Sequence, residues 1–260
     1  MINILLARFR QGHRTMSYPA GPPPELPERF RGRPTVDRAK CEPDCRACEE
    51  ACPTHAITIN GKAMIDLGRC LFCTDCLRAC PTGAIGFSRD YRLATDTRQD
   101  LVLDDNALRL ARGLQGSTRR LFGRSLKLRQ VSAGGCNGCE LDVNVLGTVG
   151  WDLGRFGIQF VASPRHADGL LVTGCVTENM RLALQKTYDA LTPPKIVIAV
   201  GACAISGGPF IDHAEAHNGV AGCLPVDLFI PGCPPHPLTI LDGLLRFLGQ
   251  IEGEPGPSLV

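Results

Sequence analysis

The hydrophobic rhythm of this chain changes near its middle. Residues 126–131, 157–162, 169–173, 195–200 and 226–230 form short β-branched and apolar runs that end near Gly, Pro or Ser, and they predict strands. Segments 140–149, 178–191 and 238–248 space their apolar residues every three or four positions and predict helices between those strands. Alternation of this kind implies a parallel sheet with helices on both faces, whose functional loops gather at the carboxyl ends of the strands. Upstream, Ile2, Leu5, Leu6 and Phe9 fall at helical spacing beside Arg8 and Arg10. Five prolines between Pro19 and Pro27 exclude regular helix there. Residues 105–121, with Leu108, Leu110, Ala111 and Leu114 apolar among arginines, predict a further helix.

Cysteine changes this picture most, with 14 residues in 260. The run Cys70-Leu71-Phe72-Cys73-Thr74-Asp75-Cys76-Leu77-Arg78-Ala79-Cys80-Pro81 has the C-x2-C-x2-C-x3-C-P spacing that holds a [4Fe–4S] cluster. Cys41, Cys45, Cys48 and Cys52-Pro53 form a second such run. Cys45, Cys48 and Cys52 recur 28 positions later as Cys73, Cys76 and Cys80, so the runs are an internal repeat. Each cubane needs four thiolates, and in two-cluster proteins the cysteine before proline serves the other cluster. The repeat therefore predicts Cys41, Cys45, Cys48 and Cys80 on a first cluster, and Cys70, Cys73, Cys76 and Cys52 on a second. Cys41 stands one position off the repeat, and the alternative is a first site that is three-iron or absent. A zinc ribbon also uses CxxC pairs, but eight cysteines with both Cys-Pro ends and no paired histidine fit cubanes better.

Residues 35–92 resemble two-[4Fe–4S] ferredoxins. The lead-ins Gly12-His13-Arg14-Thr15-Met16-Ser17-Tyr18-Pro19 and Arg29-Phe30-Arg31-Gly32-Arg33-Pro34 are similar to those of the ferredoxin-like subunit of complex I and of membrane-bound [NiFe] hydrogenases. That resemblance implies a leader lying on a membrane arm.

Further cysteines sit at the predicted carboxyl ends of strands. Cys136 and Cys139 lie in Gly135-Cys136-Asn137-Gly138-Cys139-Glu140, Cys203 in Gly201-Ala202-Cys203, and Cys233 in Gly232-Cys233-Pro234. Four thiols from three loops on one edge make a third cubane site, with glycines that let backbone N–H groups approach it. A thioredoxin-like CxxC is the rival for Cys136 and Cys139, but it leaves Cys203 and Cys233 unexplained. Residues 125–248 resemble the cluster-bearing small subunit of [NiFe] hydrogenases and its complex I relative, on the stretches 134–140, 163–168, 170–180, 200–208 and 230–235. Complex I relatives carry adjacent cysteines at the first site. The CxxC spacing here favours the membrane-bound group 4 hydrogenases of the formate hydrogenlyase type. Cys175 stands where relatives usually have proline, and it and Cys223 read as structural residues. His166 reads as a residue near the cluster, a partner surface or a simple cap. Glu140 opens a helix, where a carboxylate is favoured, and the resemblance adds a proton-relay role. His213, His217 and His236 lack metal-ligand spacing, and no Walker loop, GxGxxG unit or HExxH occurs.

Charge and hydropathy set the compartment. A disulfide framework needs a secreted chain, whereas residues 1–10 are too short an apolar stretch for a signal peptide and their arginines follow it. No segment approaches the roughly 20 apolar residues of a membrane span. The net charge of +2 excludes little, but residues 1–40 hold eight Lys/Arg against three acids, and residues 98–129 repeat that imbalance. Without aromatic interleaving or a binding motif, nucleic acid is not expected.

The expected fold is an α+β ferredoxin-like two-cluster domain followed by an α/β flavodoxin-like domain with a mainly parallel sheet. The expected division is an extended membrane- or partner-binding arm (1–34), the two-cluster domain (35–97), a basic linker with a helix (98–124), the α/β domain (125–250) and a tail (251–260). The resemblance implies an electron-transfer subunit of an oxidoreductase with three [4Fe–4S] clusters, no catalytic residue of its own, and a peripheral place on the cytoplasmic face of the inner membrane. Implied partners are a hydrogenase-like large subunit, membrane-arm subunits and a further electron donor or acceptor protein. A complex I-like subunit without nickel chemistry and a free ferredoxin-type carrier are the alternatives.

Overall fold

The cysteine repeat is also a repeat of structure. The computed structural model describes residues 2–12, 14–42, 44–104, 106–115, 120–122 and 125–251. Its first elements are α1 (Ile2–Gln11), β1 (Pro34–Val36), α2 (Ala47–Glu50), β2 (Ile57–Ile59), β3 (Ala63–Asp66), α3 (Asp75–Ala79), β4 (Ile85–Phe87) and β5 (Val102–Leu103). Each repeat runs strand, cysteine loop, short helix, strand. Their strands pair across the repeat: β1 with β4 (Val36 opposite Ile85) and β3 with β2 (Ile65 opposite Ile57), both antiparallel. β5, within the expected linker, adds to β3 as the outer strand of a three-stranded sheet.

Downstream lie β6 (Leu126–Ser132), α4 (Gly138–Val145), β7 (Ile158–Phe160), β8 (Gly169–Thr173), α5 (Glu178–Asp189), β9 (Ile196–Val200), α6 (Ala202–Ser206), β10 (Leu228–Ile230) and α7 (Pro237–Phe247). The strands form one parallel sheet in the order β10-β9-β8-β6-β7. Counting within this sheet, that is 2-1-3-4-5, the flavodoxin-type doubly wound order. β8, β9 and β10 are buried on both faces, so their side chains are almost all apolar and alternate between two cores, while β6 and β7 each keep exposed positions. Leu170, Val172, Val197, Ala199 and Phe229 face α5 and α6 with Leu184 and Ile205. Leu171, Ile196, Ile198, Leu228 and Ile230 face α4 and α7 with Val143, Leu241 and Leu244.

The two parts share these cores. Leu67, Leu93 and Leu101 of the repeat region belong to the cluster of Val172 and Ala199. Ser206 Oγ donates to Gly68 O at 2.8 Å, and Thr95 exchanges both backbone hydrogen bonds with Phe229 at 2.9 and 3.0 Å. Thr95 thus covers the β10 edge of the parallel sheet.

Two expectations need correction. Residues 107–115 are not helical, whereas 120–122 are; residues 105 and 116–119, like positions 252–260 of the expected tail, lie outside the described residues. Tertiary bonds outweigh the helical pattern. Ala111 N donates to Ala94 O, Leu114 N to Phe247 O and Arg112 N to the Asp96 carboxylate. Gly113 is pressed so close to Gly249 that a Cβ would stand 2.9 Å from its Cα. The segment is a strap between the two parts. Likewise, the arm just ahead of its proline-rich stretch folds onto its own chain. Met16 N donates to Gly150 O, and Arg155 donates to the carbonyls of Met16 and Tyr18.

Every residue of α7 is buried, because the sheet covers one side of the helix while Tyr18, Tyr91 and Ala94 cover the other. Its two charges are paired with each other. Asp242 Oδ2 accepts from Arg246 Nε at 2.8 Å, and Oδ1 accepts from the Tyr18 hydroxyl at 2.7 Å. Burial and the Asp242 carboxylate push the Tyr18 phenol far up, so it stays a donor. Asp242→Ala leaves a buried guanidinium without its carboxylate and should cost about 3–5 kcal/mol in urea unfolding. Tyr18→Phe should cost about 1–3 kcal/mol. The double replacement Asp242→Leu/Arg246→Met should recover most of the loss, since an apolar pair of similar volume tolerates burial.

Candidate iron–sulfur centres and their relatives

Strand pairing in the repeat brings each fourth cysteine to the opposite loop. Cys80 precedes β4, which pairs with β1, and β1 leads into the loop of Cys41, Cys45 and Cys48. Cys52 precedes β2, which pairs with β3, and β3 leads into the loop of Cys70, Cys73 and Cys76. The thiols group accordingly. Burial first, and then Cys41 and Cys80, push the Cys48 thiol up. Burial pushes Cys70 up to about 12, with Cys76, Cys52 and Cys73 adding to it. A small cavity is lined by Cys52, Cys70, Cys73 and Cys76 and walled by Ile57, Ile65 and Phe87.

Backbone N–H groups are aimed at these sulfurs. Ala56 N donates to Cys52 Sγ and Ala84 N to Cys80 Sγ, each at 3.2 Å, and Phe72 N donates to Cys70 Sγ at 3.4 Å. Ala56 and Ala84 are equivalent in the repeat. At Cys80 such donors, with the Thr82 hydroxyl, outweigh burial and lower the thiol's pKa.

The carboxyl edge of the parallel sheet gathers the next four thiols. Cys136 and Cys139 follow β6, Cys203 follows β9 and Cys233 follows β10. Burial raises Cys139, and Cys203, Glu140, Cys233 and Cys136 raise it further. Cys203 is pushed up to about 12 by burial and then by Cys233, Cys175 and Cys136. Cys136 and Cys233 are exposed, whereas Cys139 and Cys203 are half-buried. Backbone approaches the sulfurs closely at one position above all. Gly201 has φ +90, and a Cβ there would stand 2.5 Å from Cys139 Sγ. Only glycine takes that conformation with so little room.

The three groups adjoin in order. Cys48 of the first group packs in one cluster with Cys70 and Cys76 of the second, and Cys233 of the third shares a cleft with Leu71 and Phe72 of the second loop. The contents fit four-iron clusters: soft sulfur donors, apolar walls and N–H groups directed at sulfur. Among the described residues no three Cys, His, Asp or Glu side chains are grouped tightly enough for a single metal ion. Thiols held this far up are protonated by themselves, so metal binding must release protons.

Glu140 is buried beneath the third group. Its Oε1 accepts from Ser132 Oγ and Thr173 Oγ1, both at 2.6 Å. Burial raises its pKa, but these hydrogen bonds prevail and hold it below the ordinary range. The carboxylate pins the ends of β6 and β8 to the first turn of α4; that hydroxyl pair was not legible in sequence. Cys175 is also buried here, its thiol donating to Gly134 O at 3.6 Å. Cys223 lies apart, near Arg181 and Glu178.

His166 is not near the thiols. It precedes β8, at the amino edge of the sheet beside Lys127 and Pro193. One strand length, roughly 16 Å for five residues, separates it from the carboxyl edge. His217 pairs with Glu178 at 2.5 Å, and His213 accepts from Glu215 N. His236 Nδ1 accepts from Leu238 N at the start of α7, its ring packed against Phe30 and Trp151.

Residues 34–84 match the 4Fe-4S dicluster domain, and residues 136–247 match the NADH ubiquinone oxidoreductase 20 kDa subunit family. A probable membrane-bound hydrogenase subunit, mbhJ, of Pyrococcus furiosus is 41% identical over 143 residues, covering 54% of this chain and 86% of that protein. Formate hydrogenlyase subunit 7 of Escherichia coli is 42% identical over 139 residues, with 54% of each chain covered. An NADH-quinone oxidoreductase subunit of Phocaeicola vulgatus is 44% identical over 117 residues, covering 45% of this chain and 59% of that protein. A solved chain of the archaeal membrane-bound sulfane sulfur reductase is 34% identical, covers 51% of this chain and 73% of its own, and has a TM-score of 0.45. A ferredoxin-like unit joined to a thiol-edged α/β unit defines an iron–sulfur electron-transfer subunit of an oxidoreductase complex. The chain belongs to the NADH ubiquinone oxidoreductase 20 kDa subunit family, here with a 4Fe-4S dicluster domain ahead of it in the same polypeptide.

Gly201→Ala should push Cys139 aside and lower the iron of anaerobically purified chain by about four atoms. Gly61→Ala is the control, because its Cβ meets nothing, and its iron should match the parent.

Proposed function

We propose that this chain is the electron relay of a membrane-associated [NiFe] hydrogenase-like complex, with the catalytic centre on a separate large subunit. The division proposed is an arm (1–34), a two-cluster domain (35–97), a basic linker (98–124), an α/β domain (125–250) and a tail (251–260). In this reading Cys41, Cys45, Cys48 and Cys80 hold one [4Fe–4S] cluster, Cys70, Cys73, Cys76 and Cys52 a second, and Cys136, Cys139, Cys203 and Cys233 a third. When bound, such clusters supply one-electron carriers. The protein's part is to space them, shield them from water and direct N–H groups at their sulfurs. The observation that carries the reading is that strand pairing brings each Cys-Pro end to the opposite loop while Cys233 shares a cleft with Leu71 and Phe72 of the second loop, which supports three adjoining sites.

The exposed Cys136 and Cys233 mark the edge where the large subunit would dock. Leu141 and Phe210, both exposed, offer it apolar contact beside that edge. At the other end, Ile2, Ile4, Leu5 and Phe9 of α1 are exposed, with Arg8 and Arg10 in its last turn. That helix suits membrane-arm subunits at the cytoplasmic face. No described helix is long and apolar enough to cross a membrane. The likeness to the NADH-quinone oxidoreductase subunit supports a second reading, a complex I-like assembly whose large subunit lacks nickel. Nickel analysis of the co-purified large subunit decides between them. Isolation of the chain as a stable monomer with its clusters shielded would favour a free carrier over both.

Three cubanes predict about 12 irons and 12 acid-labile sulfides per chain; a value near eight removes the third. Cys80→Ser should damage the cluster of Cys41, Cys45 and Cys48 while leaving that of Cys70, Cys73 and Cys76. EPR of the reduced protein reads this directly, and the converse pattern overturns the exchange of fourth ligands.

Removing residues 2–11 should release the assembly from membranes without loss of iron, measured by fractionation and metal analysis. Longer truncations reach Tyr18 and its buried bond to Asp242, so they test folding instead.

A further inference from the structure

The two thiol loops of the repeat lie in different charge environments, and Arg31 contributes to the difference. Phe72 sits between Cys70 and Cys73 with φ +54, an uncommon conformation for a bulky residue. Its ring is buried against Phe87, with centroids 6.2 Å apart, and its N–H donates to Cys70 Sγ. Its carbonyl accepts from Arg31 Nη1. Arg31 arrives from the segment before β1 and lines a cleft of about 340 Å³ shared with Leu71, Phe72 and Cys233. The guanidinium therefore stands over the second loop on the side facing the third group of thiols.

The first loop is built otherwise. Its equivalent of Phe72 is Asp44, also left-handed at φ +66, and Glu42 lies in the same loop. Residues between Cys70 and Cys73 carry no charge. Lys40 pairs with Asp37 and Arg46 with Glu49 near the first loop, and Arg78 with Asp75 near the second, where Asp66 is shared by Arg98 at 2.6 Å and Arg69 at 3.8 Å. Two carboxylates thus mark the first loop and arginines, Arg31 among them, the second; Arg29 and Asp142 line the same cleft as Arg31.

We propose that Arg31 is a positioning residue that sets the reduction potential of the second cluster above that of the first, by clamping the Phe72 carbonyl and by placing a fixed positive charge beside the loop. The inference rests on the assignment of Cys52, Cys70, Cys73 and Cys76 to one cluster. Cluster potential follows local charge, hydrogen bonds to sulfur and solvent exposure; Arg31 supplies charge, and through the Phe72 carbonyl it holds the residue whose N–H donates to Cys70 Sγ. A guanidinium stays charged throughout the working pH range, and a nearby cation stabilises an added electron. Arg31 is exposed on its outer side, so solvent screening limits the effect. Its place on the Cys233 side holds the electron where the third site is reached.

The test is an EPR-monitored redox titration of the full chain, purified anaerobically with its clusters, as parent, Arg31→Gln and Arg31→Lys. Arg31→Gln should keep its iron and shift the reduction equilibrium of the second cluster about three- to tenfold toward the oxidised form. That is roughly 30–60 mV at 59 mV per tenfold for one electron. The first cluster should not move, and Arg31→Lys should restore at least half of the shift. High salt should narrow the gap between parent and Arg31→Gln. An Arg31→Gln chain with full iron and parental potentials overturns the proposal, as does an Arg31→Lys chain as low as Arg31→Gln. Loss of iron in Arg31→Gln makes Arg31 a structural tie and overturns it too. A parent chain lacking the second cluster would instead sink the thiol assignment beneath it.

Discussion

Sulfur that is to hold iron must be gathered from separate turns of backbone, shielded from water and left open on one side. The architecture of this chain follows from that requirement. Thiols crowded together and buried are poor thiolates: burial and their neighbours push Cys70, Cys76, Cys139 and Cys203 well above the usual range. Such groupings are tolerable when a cationic iron core replaces the protons. The surrounding fold must therefore hold them without relying on the sulfurs for cohesion.

It does so in two ways. In the repeat, antiparallel pairing of β1 with β4 and of β3 with β2 threads each Cys-Pro end into the opposite loop. In the α/β part, the parallel order 2-1-3-4-5 brings three strand ends to one edge, where Glu140 ties β6 to β8 through Ser132 and Thr173. Tertiary packing then joins the two solutions. The Thr95–Phe229 pairing, the Ser206–Gly68 bond and the shared apolar cluster fix the repeat against the sheet. Distance governs electron tunnelling steeply, so a rigid seam between units serves a relay better than a flexible tether. Carrying both units on one polypeptide makes that seam part of the folded core.

Arg31 and α7 show how the N-terminal segment takes part. The stretch that supplies Tyr18 to the buried Asp242 also supplies Phe30 to His236 and Arg31 to Phe72. One irregular, proline-rich segment thus covers the last helix and reaches the second thiol loop. Only α1 extends from it with its apolar side chains exposed.

Local spacing alone determined a good deal. The cysteine repeat identified two ferredoxin-type loops, because ligand spacing is a property of a few consecutive residues. The apolar runs located the strands of the parallel sheet to within two or three residues, most plainly β8, β9 and β10, because strands buried on both faces are nearly all apolar. The thiols at strand ends were visible for the same reason, since a parallel sheet sends its loops to one edge. What depended on contacts between distant segments was not legible. Over residues 107–115 the helical pattern gave way to a strap, because the backbone there bonds to Ala94, Asp96 and Phe247 instead of to itself. His166, in sequence a candidate near the cluster, lies one strand length away, because the side of a sheet on which a loop emerges depends on strand direction. The pairing of Arg31 with the Phe72 carbonyl spans 41 residues, and the Tyr18–Asp242 bond spans 224. Such pairs leave no local pattern, and only the closed tertiary structure decides them.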